Sequence, residues 1–400
     1  MTEIFRRPLV IGIAALLAIG LVAIYSSTAN QFGNTYVTRQ AIWIAVGIAA
    51  MVGASRVRTK TLEAFAPVIY AIAVLLLAVV LVGGTGPHGA KRWFNLGFMS
   101  FQPSELAKIA TVLFLARYLS GRKEIGESIR SVLVVFAIVG LPAFLVLYEP
   151  DMGTALVIAM IAFPMLYAAG LDALYLAFLI SPFLAVIAAG EIVAWIIFTA
   201  FLITVMALAK FRTSFVALIF GINLVTGSLA PRIWMGLQPY QRERIQAFLD
   251  PEAFSRGAGF QTIQAKIAVG SGGVVGKGLF NGTQKALGLV PEQHTDFIFS
   301  VIGEEMGFLL SIAVLALLLY VILKLFDVAR QARDRFTTYI CFGFASMILA
   351  QTVVNVGMNL GMTPVTGLTL PFISYGGSSV IMLLGTMGIA LSAYSSRKGY

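Results

Sequence analysis

The residues best suited to chemistry gather in a few short clusters. In Pro291–Phe299 (PEQHTDFIF) a carboxylate, Asp296, stands where a polar stretch gives way to a long apolar run. A carboxylate there either stabilises a helix start beside a Thr295 cap or serves as a general base, because an ionised carboxylate accepts a proton. His294 is the alternative base. Glu105 and Lys108 are three residues apart, so on a helix they share a face and pair. Inside an apolar segment such a pair is either structural or lines a polar cavity. Glu304 and Glu305 follow Asp296 by about two helical turns. Ser271–Gly278 (SGGVVGKG) sets glycines around Lys277, a pattern able to cradle phosphate on backbone amides. Ser271 and Gly278 depart from a Walker A loop, and the plain reading is a flexible hairpin. Asp151, in Glu149–Thr154 (EPDMGT), reads as the cap of the next helix. One cysteine, Cys341, excludes an internal disulfide and any multi-cysteine metal site. With only His88 and His294 besides, no metal site is assigned.

The elements that must position these groups are membrane spans. Of 400 residues 59% are hydrophobic and only 12% charged, about half the charge of a soluble domain. A water-soluble enzyme is excluded. The apolar stretches are long runs, not short alternating segments, so a barrel is excluded as well. The chain reads as one all-α polytopic membrane domain, residues 1–400, with about twelve transmembrane helices. They are expected near 8–27, 40–54, 64–83, 104–120, 130–148, 153–170, 173–189, 192–209, 213–230, 296–323, 338–358 and 372–394. Residues 8–27 are apolar for too long to be a cleavable leader. With both termini in the cytoplasm, most of the 28 basic residues fall on cytoplasmic segments. The net charge of +10 is then an orientation signal, not a mark of nucleic-acid binding. Loop 84–103, with Lys91 and Arg92, and the large extracytoplasmic loop 231–295, with Arg244 and Lys277 among its cations, break that pattern. Positive charge there calls for an anionic partner such as a lipid phosphate or pyrophosphate. Within the large loop, Tyr240–Leu249 reads as a helix stopped by Asp250-Pro251. Gly257–Gly270 reads as an amphipathic helix lying on the membrane.

Taken in order, these motifs resemble the SEDS family (shape, elongation, division, sporulation), polytopic membrane glycosyltransferases that polymerise peptidoglycan. The matching segments are Lys91–Gly97 (KRWFNLG), Phe101–Lys108 (FQPSELAK), Pro150–Thr154, Tyr240–Arg244 (YQRER), Ala268–Gly278, Pro291–Phe299 with Gly303–Glu305, and Pro371–Ser379 (PFISYGGSS). Tyr240 to Glu305 is nearer the family's elongation branch and the tail from Gly367 nearer its division branch; the elongation branch is favoured. The resemblance implies lipid II as substrate, a disaccharide-pentapeptide on undecaprenyl pyrophosphate. It implies an inverting transfer that builds β-1,4 glycan strands at the outer face of the bacterial cytoplasmic membrane. The family's essential aspartate falls on Asp296, and its Glu and Lys beside a lipid-lined cavity fall on Glu105 and Lys108. Arg92, Lys108 and Arg244 are the candidates to neutralise the leaving pyrophosphate, with Lys277 and His294 as further substrate contacts. The implied partner is a class B penicillin-binding protein, a transpeptidase. No cofactor is called for, and use of a divalent cation is open. Family members usually have ten spans, so the extra pair is expected within 172–230, and Glu149 stands where a Gln is common. A flippase of lipid-linked precursors suits twelve spans equally well, but its charged site is expected near the midplane, often with inverted repeats. A non-catalytic scaffold leaves the outer polar clusters unexplained.

Overall fold

The computed structural model describes residues 8–86, 90–95, 97, 100–122, 129–209, 211, 213–254, 257–283 and 292–395. His88 lies outside them. Fourteen helices and one two-stranded hairpin make up the described fold. They are α1 (Pro8–Phe32), α2 (Thr35–Ala54), α3 (Thr59–Gly83), β1 (Phe94–Asn95), β2 (Ser100–Phe101), α4 (Pro103–Ser120), α5 (Ile129–Tyr148), α6 (Met152–Ala168), α7 (Ala173–Ala188), α8 (Ile192–Leu208), α9 (Thr213–Gly236), α10 (Pro239–Leu249), α11 (Ala258–Ser271), α12 (Ile298–Arg330), α13 (Arg335–Asn359) and α14 (Gly377–Ser395). All but α10 and α11 correspond to the twelve expected spans. By length and composition seven are sufficient to cross a membrane, while α6, α7, α8 and the Gly377–Ala393 stretch of α14 are apolar but shorter. In α4, the charges of Glu105, Lys108 and Arg117 break the apolar run, and the helix is nonetheless mostly buried among its neighbours.

Local chemistry explains the boundaries. Asp151, Asp172 and Asp334 accept the backbone N–H of Thr154, Leu174 and Thr337 at the starts of α6, α7 and α13, satisfying donors a helix start leaves open. Pro103 and Pro239 open α4 and α10, where a missing N–H costs nothing. Residues 172–230 do hold three helices, α7 to α9, and part of their packing forms a separate small core around Phe178, Leu202, Met206, Phe215 and Ile219.

Three expectations change, at α9 and twice at α12, and the packing of α11 is added to its sequence reading. Helix α9 runs through Pro231 to Gly236, so the large loop starts later than residue 231. Helix α12 starts at Ile298, not at 296, leaving Asp296 in the turn before it. Helix α11 packs one face on the protein: Ala265 and Ala268 are buried, and Ala265 shares a small core with Phe297, Met358 and Val365, while Ile267 is exposed. Finally, α12 is interrupted at Gly307, whose φ of 74° and ψ of −174° are non-helical. The Gly-rich segment after α11 clips into that break. Phe308 and Leu309 donate to the carbonyls of Gly273 and Val274, at 2.9 and 3.1 Å, and Lys277 and Gly278 donate to those of Glu304 and Glu305, at 3.0 and 2.9 Å. These two amides are therefore engaged within the protein, which leaves them out of any phosphate cradle.

Candidate functional site

Asp296 sits in a turn whose backbone is anchored on several sides. The N–H groups of Thr295 and Asp296 both donate to the carbonyl of Glu292 at 3.1 Å. The carbonyl of His294 accepts from the Tyr375 N–H at 2.9 Å, and that of Thr295 from the Ser374 hydroxyl at 2.6 Å. The Asp296 carbonyl accepts from two side-chain amides on α13, Asn355 at 2.9 Å and Asn359 at 3.1 Å. Gly367, at φ +76°, passes so close that a Cβ there would lie 3.4 Å from Asp296 Oδ2. The Asp296 side chain does not cap α12. It is partly buried, and its pKa is raised to about 6, first by burial and then by the Glu292 carboxylate, with the Arg244 guanidinium pulling the other way.

Arg244 comes from α10, a helix fixed at its start by reciprocal bonds between Gln238 and Gln241. Its guanidinium lies 5.7 Å from the centre of the Tyr240 ring, and the Tyr240 hydroxyl donates to the carbonyl of Pro150 at 3.1 Å. Burial lowers the Arg244 pKa and Asp296 raises it; a guanidinium keeps its charge regardless. Arg92 also reaches the Glu149–Asp151 turn, donating Nε to the Glu149 carbonyl at 2.9 Å and a terminal nitrogen to the Pro150 carbonyl. Asp151 accepts from the Thr154 N–H at 3.0 Å, the Thr154 hydroxyl at 2.9 Å and Gln102 at 3.2 Å. It is the expected cap, and its charge also acts on Asp296 and Arg244. Glu149 is 0% exposed. Neither of its carboxyl oxygens finds a partner among the described residues. Burial, with Asp151 adding and Arg92 opposing, pushes its pKa to about 8.

The remaining candidates divide. His294 is stacked among Tyr36 and Tyr375, with ring centres 4.5 and 5.6 Å away. Burial lowers its pKa against the pull of Glu292, and so favours the neutral ring. Lys108, 1% exposed, is paired with Glu105 at 2.7 Å within α4. Lys277 is paired with Glu304, also at 2.7 Å. The structure thus gathers Asp296, His294, Arg244 and Arg92 with Asp151, while the two lysines are held by their own carboxylates. Among the described residues no group of three or more His, Cys, Asp or Glu is arranged to hold a metal ion. Sequence reasoning did not single out Glu292, Asn355 or Asn359. The spacing Gln351–Asn355–Asn359, one amide per helical turn in an apolar helix, was the available signal.

Comparison with known proteins gives a consistent result. The family model FTSW_RODA_SPOVE, described as "Cell cycle protein", matches residues 7–199 and 174–399. The two matches overlap at residues 174–199, within α7 and α8. Peptidoglycan glycosyltransferase MrdB of Escherichia coli K12 is 33% identical over 385 residues, covering 96% of this chain and 92% of that protein. A probable peptidoglycan glycosyltransferase FtsW of Polynucleobacter necessarius is 35% identical over 404 residues, covering 97% and 85%. Among solved structures, a chain of a peptidoglycan synthase complex that coordinates polymerization and crosslinking matches with a TM-score of 0.73 and 33% identity, over 98% of both chains. The crystal structure of the rod shape determining protein RodA of Thermus thermophilus matches with a TM-score of 0.65 and 27% identity, over 98% of this chain and 97% of that one.

Proposed function

The chain belongs to the FtsW/RodA/SpoVE family and is a multi-span membrane peptidoglycan glycosyltransferase, and from that premise we propose that Asp296 is its general base. Lipid II is the substrate. The acceptor sugar's 4-hydroxyl oxygen attacks the anomeric carbon of the donor, whose bond to the pyrophosphate oxygen breaks. The hydroxyl proton passes to Asp296, and the electron pair leaves with undecaprenyl pyrophosphate. A donor linked α and a product linked β need a single displacement, hence one base. Arg244 is the cation nearest this role for the growing negative charge, with Arg92 behind it.

One observation carries the reading. Asp296 is a carboxylate raised to about 6 yet still ionised at pH 7, facing a guanidinium and held by a fixed backbone. That value suits a base better than an ordinary aspartate's, because the proton affinity lies nearer the working pH. Glu105, Lys108, Lys277 and His294 remain candidate contacts. Both lysines start from ion pairs, so a pyrophosphate must compete with Glu105 or Glu304 for them.

The partner is a class B penicillin-binding protein that crosslinks the strands during cell elongation; the likeness to a chain of a synthase complex supports it. The site faces outward and both termini lie in the cytoplasm. Cysteines replacing Glu252 and Arg333, in a Cys341→Ser background, test the orientation: an impermeant reagent added outside labels the first and not the second, and the reverse pattern sinks it. Activity is tested with the purified chain and its transpeptidase on fluorescent lipid II. A ladder of glycan products is expected from the native chain and none from Asp296→Asn; a ladder from both removes Asp296 from the role of base.

A further inference from the structure

Asn355 and Asn359 are one helical turn apart on α13, and both are 0% exposed. Buried amides in an apolar helix are costly unless satisfied, and these two converge on the Asp296 carbonyl. Asn355 donates to the carbonyls of Asp296 and Leu368, at 2.9 and 2.6 Å. Asn359 donates to the carbonyls of Asp296 and Asn355, at 3.1 and 2.9 Å. The Asn359 side-chain oxygen accepts the Ser300 N–H at 3.0 Å. Ser300 is in the first turn of α12, where a backbone donor normally looks to a capping side chain close before it. Here the Ser300 N–H is shared between the carbonyl of Phe297, at 3.1 Å, and the Asn359 side chain on α13.

We propose that Asn355 and Asn359 are positioning residues for the glycosyl transfer. They fix the Asp296 carbonyl from α13, hold the Gly367–Leu368 segment beside the carboxylate and bind the first turn of α12 through the Ser300 N–H. The inference rests on Asp296 being the base. It assigns no contact with substrate to either asparagine. The charged and titratable groups acting on Asp296 are Glu292 in its own turn, Arg244 on α10 and Asp151 before α6; His294 lies two residues away.

Asn355→Ala removes one of the two ties to the Asp296 carbonyl, with the bond to Leu368, and leaves the Asn359 bond to Ser300 intact. Asn359→Ala removes the other tie and that bond to Ser300. Each is assayed with the transpeptidase on lipid II across pH, beside Asp296→Asn and with melting curves. For Asn355→Ala the expected result is a kcat lower by about 10- to 100-fold, as misplacement of a reacting group by an ångström costs, with KM changed less than about threefold. Its acid limb moves to lower pH, because an untethered carboxylate turns towards water. Asn359→Ala loses at least as much and also melts earlier. An Asn355→Ala enzyme with normal kcat, or with reduced yield of protein but an unmoved acid limb, overturns the proposal. So does loss of folded protein in both variants, since that is the outcome of a purely structural pair. If Asp296→Asn stays active, the base assignment has failed and the positioning role goes with it; if Asp296→Asn is inactive and Asn355→Ala is normal, only the positioning role has failed.

Discussion

Asp296 and Glu304 stand about two helical turns apart around the start of α12, and each is a carboxylate with a basic residue from the large loop near it. Their surroundings differ in kind. On Glu304, which is 1% exposed, a single oxygen accepts the Lys277 ammonium at 2.7 Å and both the N–H and the hydroxyl of Thr283 at 2.9 Å. It is saturated, and its charge is cancelled at contact distance. Asp296 is held chiefly by its backbone, while its side chain has a hydrogen bond from Thr295, meets Arg244 through the electrostatic field and keeps a pKa of about 6. A saturated carboxylate resists both protonation and movement. An under-bonded one on a rigid backbone can take a proton and give it up. On the proposed role of Asp296, proximity to a cation is therefore not the distinguishing feature; the hydrogen-bonding capacity left on the carboxylate is.

The largest test of that contrast is Asp296→Asn, expected to lower polymerisation by about 100- to 10,000-fold, the usual worth of a general base, with an unchanged melting curve. Glu304→Gln is its counterpart. Breaking a buried pair costs roughly 3–5 kcal/mol, so this variant should melt early, while the fraction that remains folded turns over normally. A Glu304→Gln protein that melts like the native chain and is inactive would break the distinction. A finer test is the pH profile. The base must be deprotonated, so the rate should rise with pH through about 6. Arg244→Gln should move that limb upwards, because Arg244 lowers the Asp296 pKa, and Glu292→Gln should move it downwards, because Glu292 raises it. Shifts in the opposite directions would mean that another group sets the limb. The smallest effect concerns Glu149, whose folded pKa of about 8 lies above its ordinary value of 4.5. Its neutral form favours the fold below pH 4.5, and that stability is lost as pH rises through about 8. Glu149→Gln is neutral throughout, so it should raise the melting temperature above pH 8 and leave it unchanged below pH 4.5.

Most of the helices were legible as long apolar runs, although charges interrupt α4 and α12. Even α10 and α11 could be read, from helical spacing and from Asp250-Pro251. Asp296 was legible as a candidate from its place at the edge of such a run. Its environment was not. Asn355 and Asn359 reach it across some sixty residues of chain, and no local pattern tells an amide that holds a carbonyl from one that faces another helix. Lys277 read as a free cation, because its partner, Glu304, lies beyond the loop in the following helix. The break at Gly307 was hidden for a related reason. A lone glycine in a long apolar run is compatible with continuous helix, and the backbone partners that make the break affordable come from residues 273–278.

That break has a mechanical consequence. A bilayer that thickens or thins acts on a spanning helix by changing its tilt. Below Gly307 the Phe308–Arg330 part of α12 is the portion such a change would lean. Above it, Ile298–Met306 is joined to the glycine-rich segment by two of the four hydrogen bonds at the break, and the other two tie that segment to the top of the lower part. The glycine-rich segment therefore splints the two parts of α12, so a tilt of the Phe308–Arg330 rod is met by backbone bonds as well as by the Gly307 link before it reaches the turn that carries Asp296.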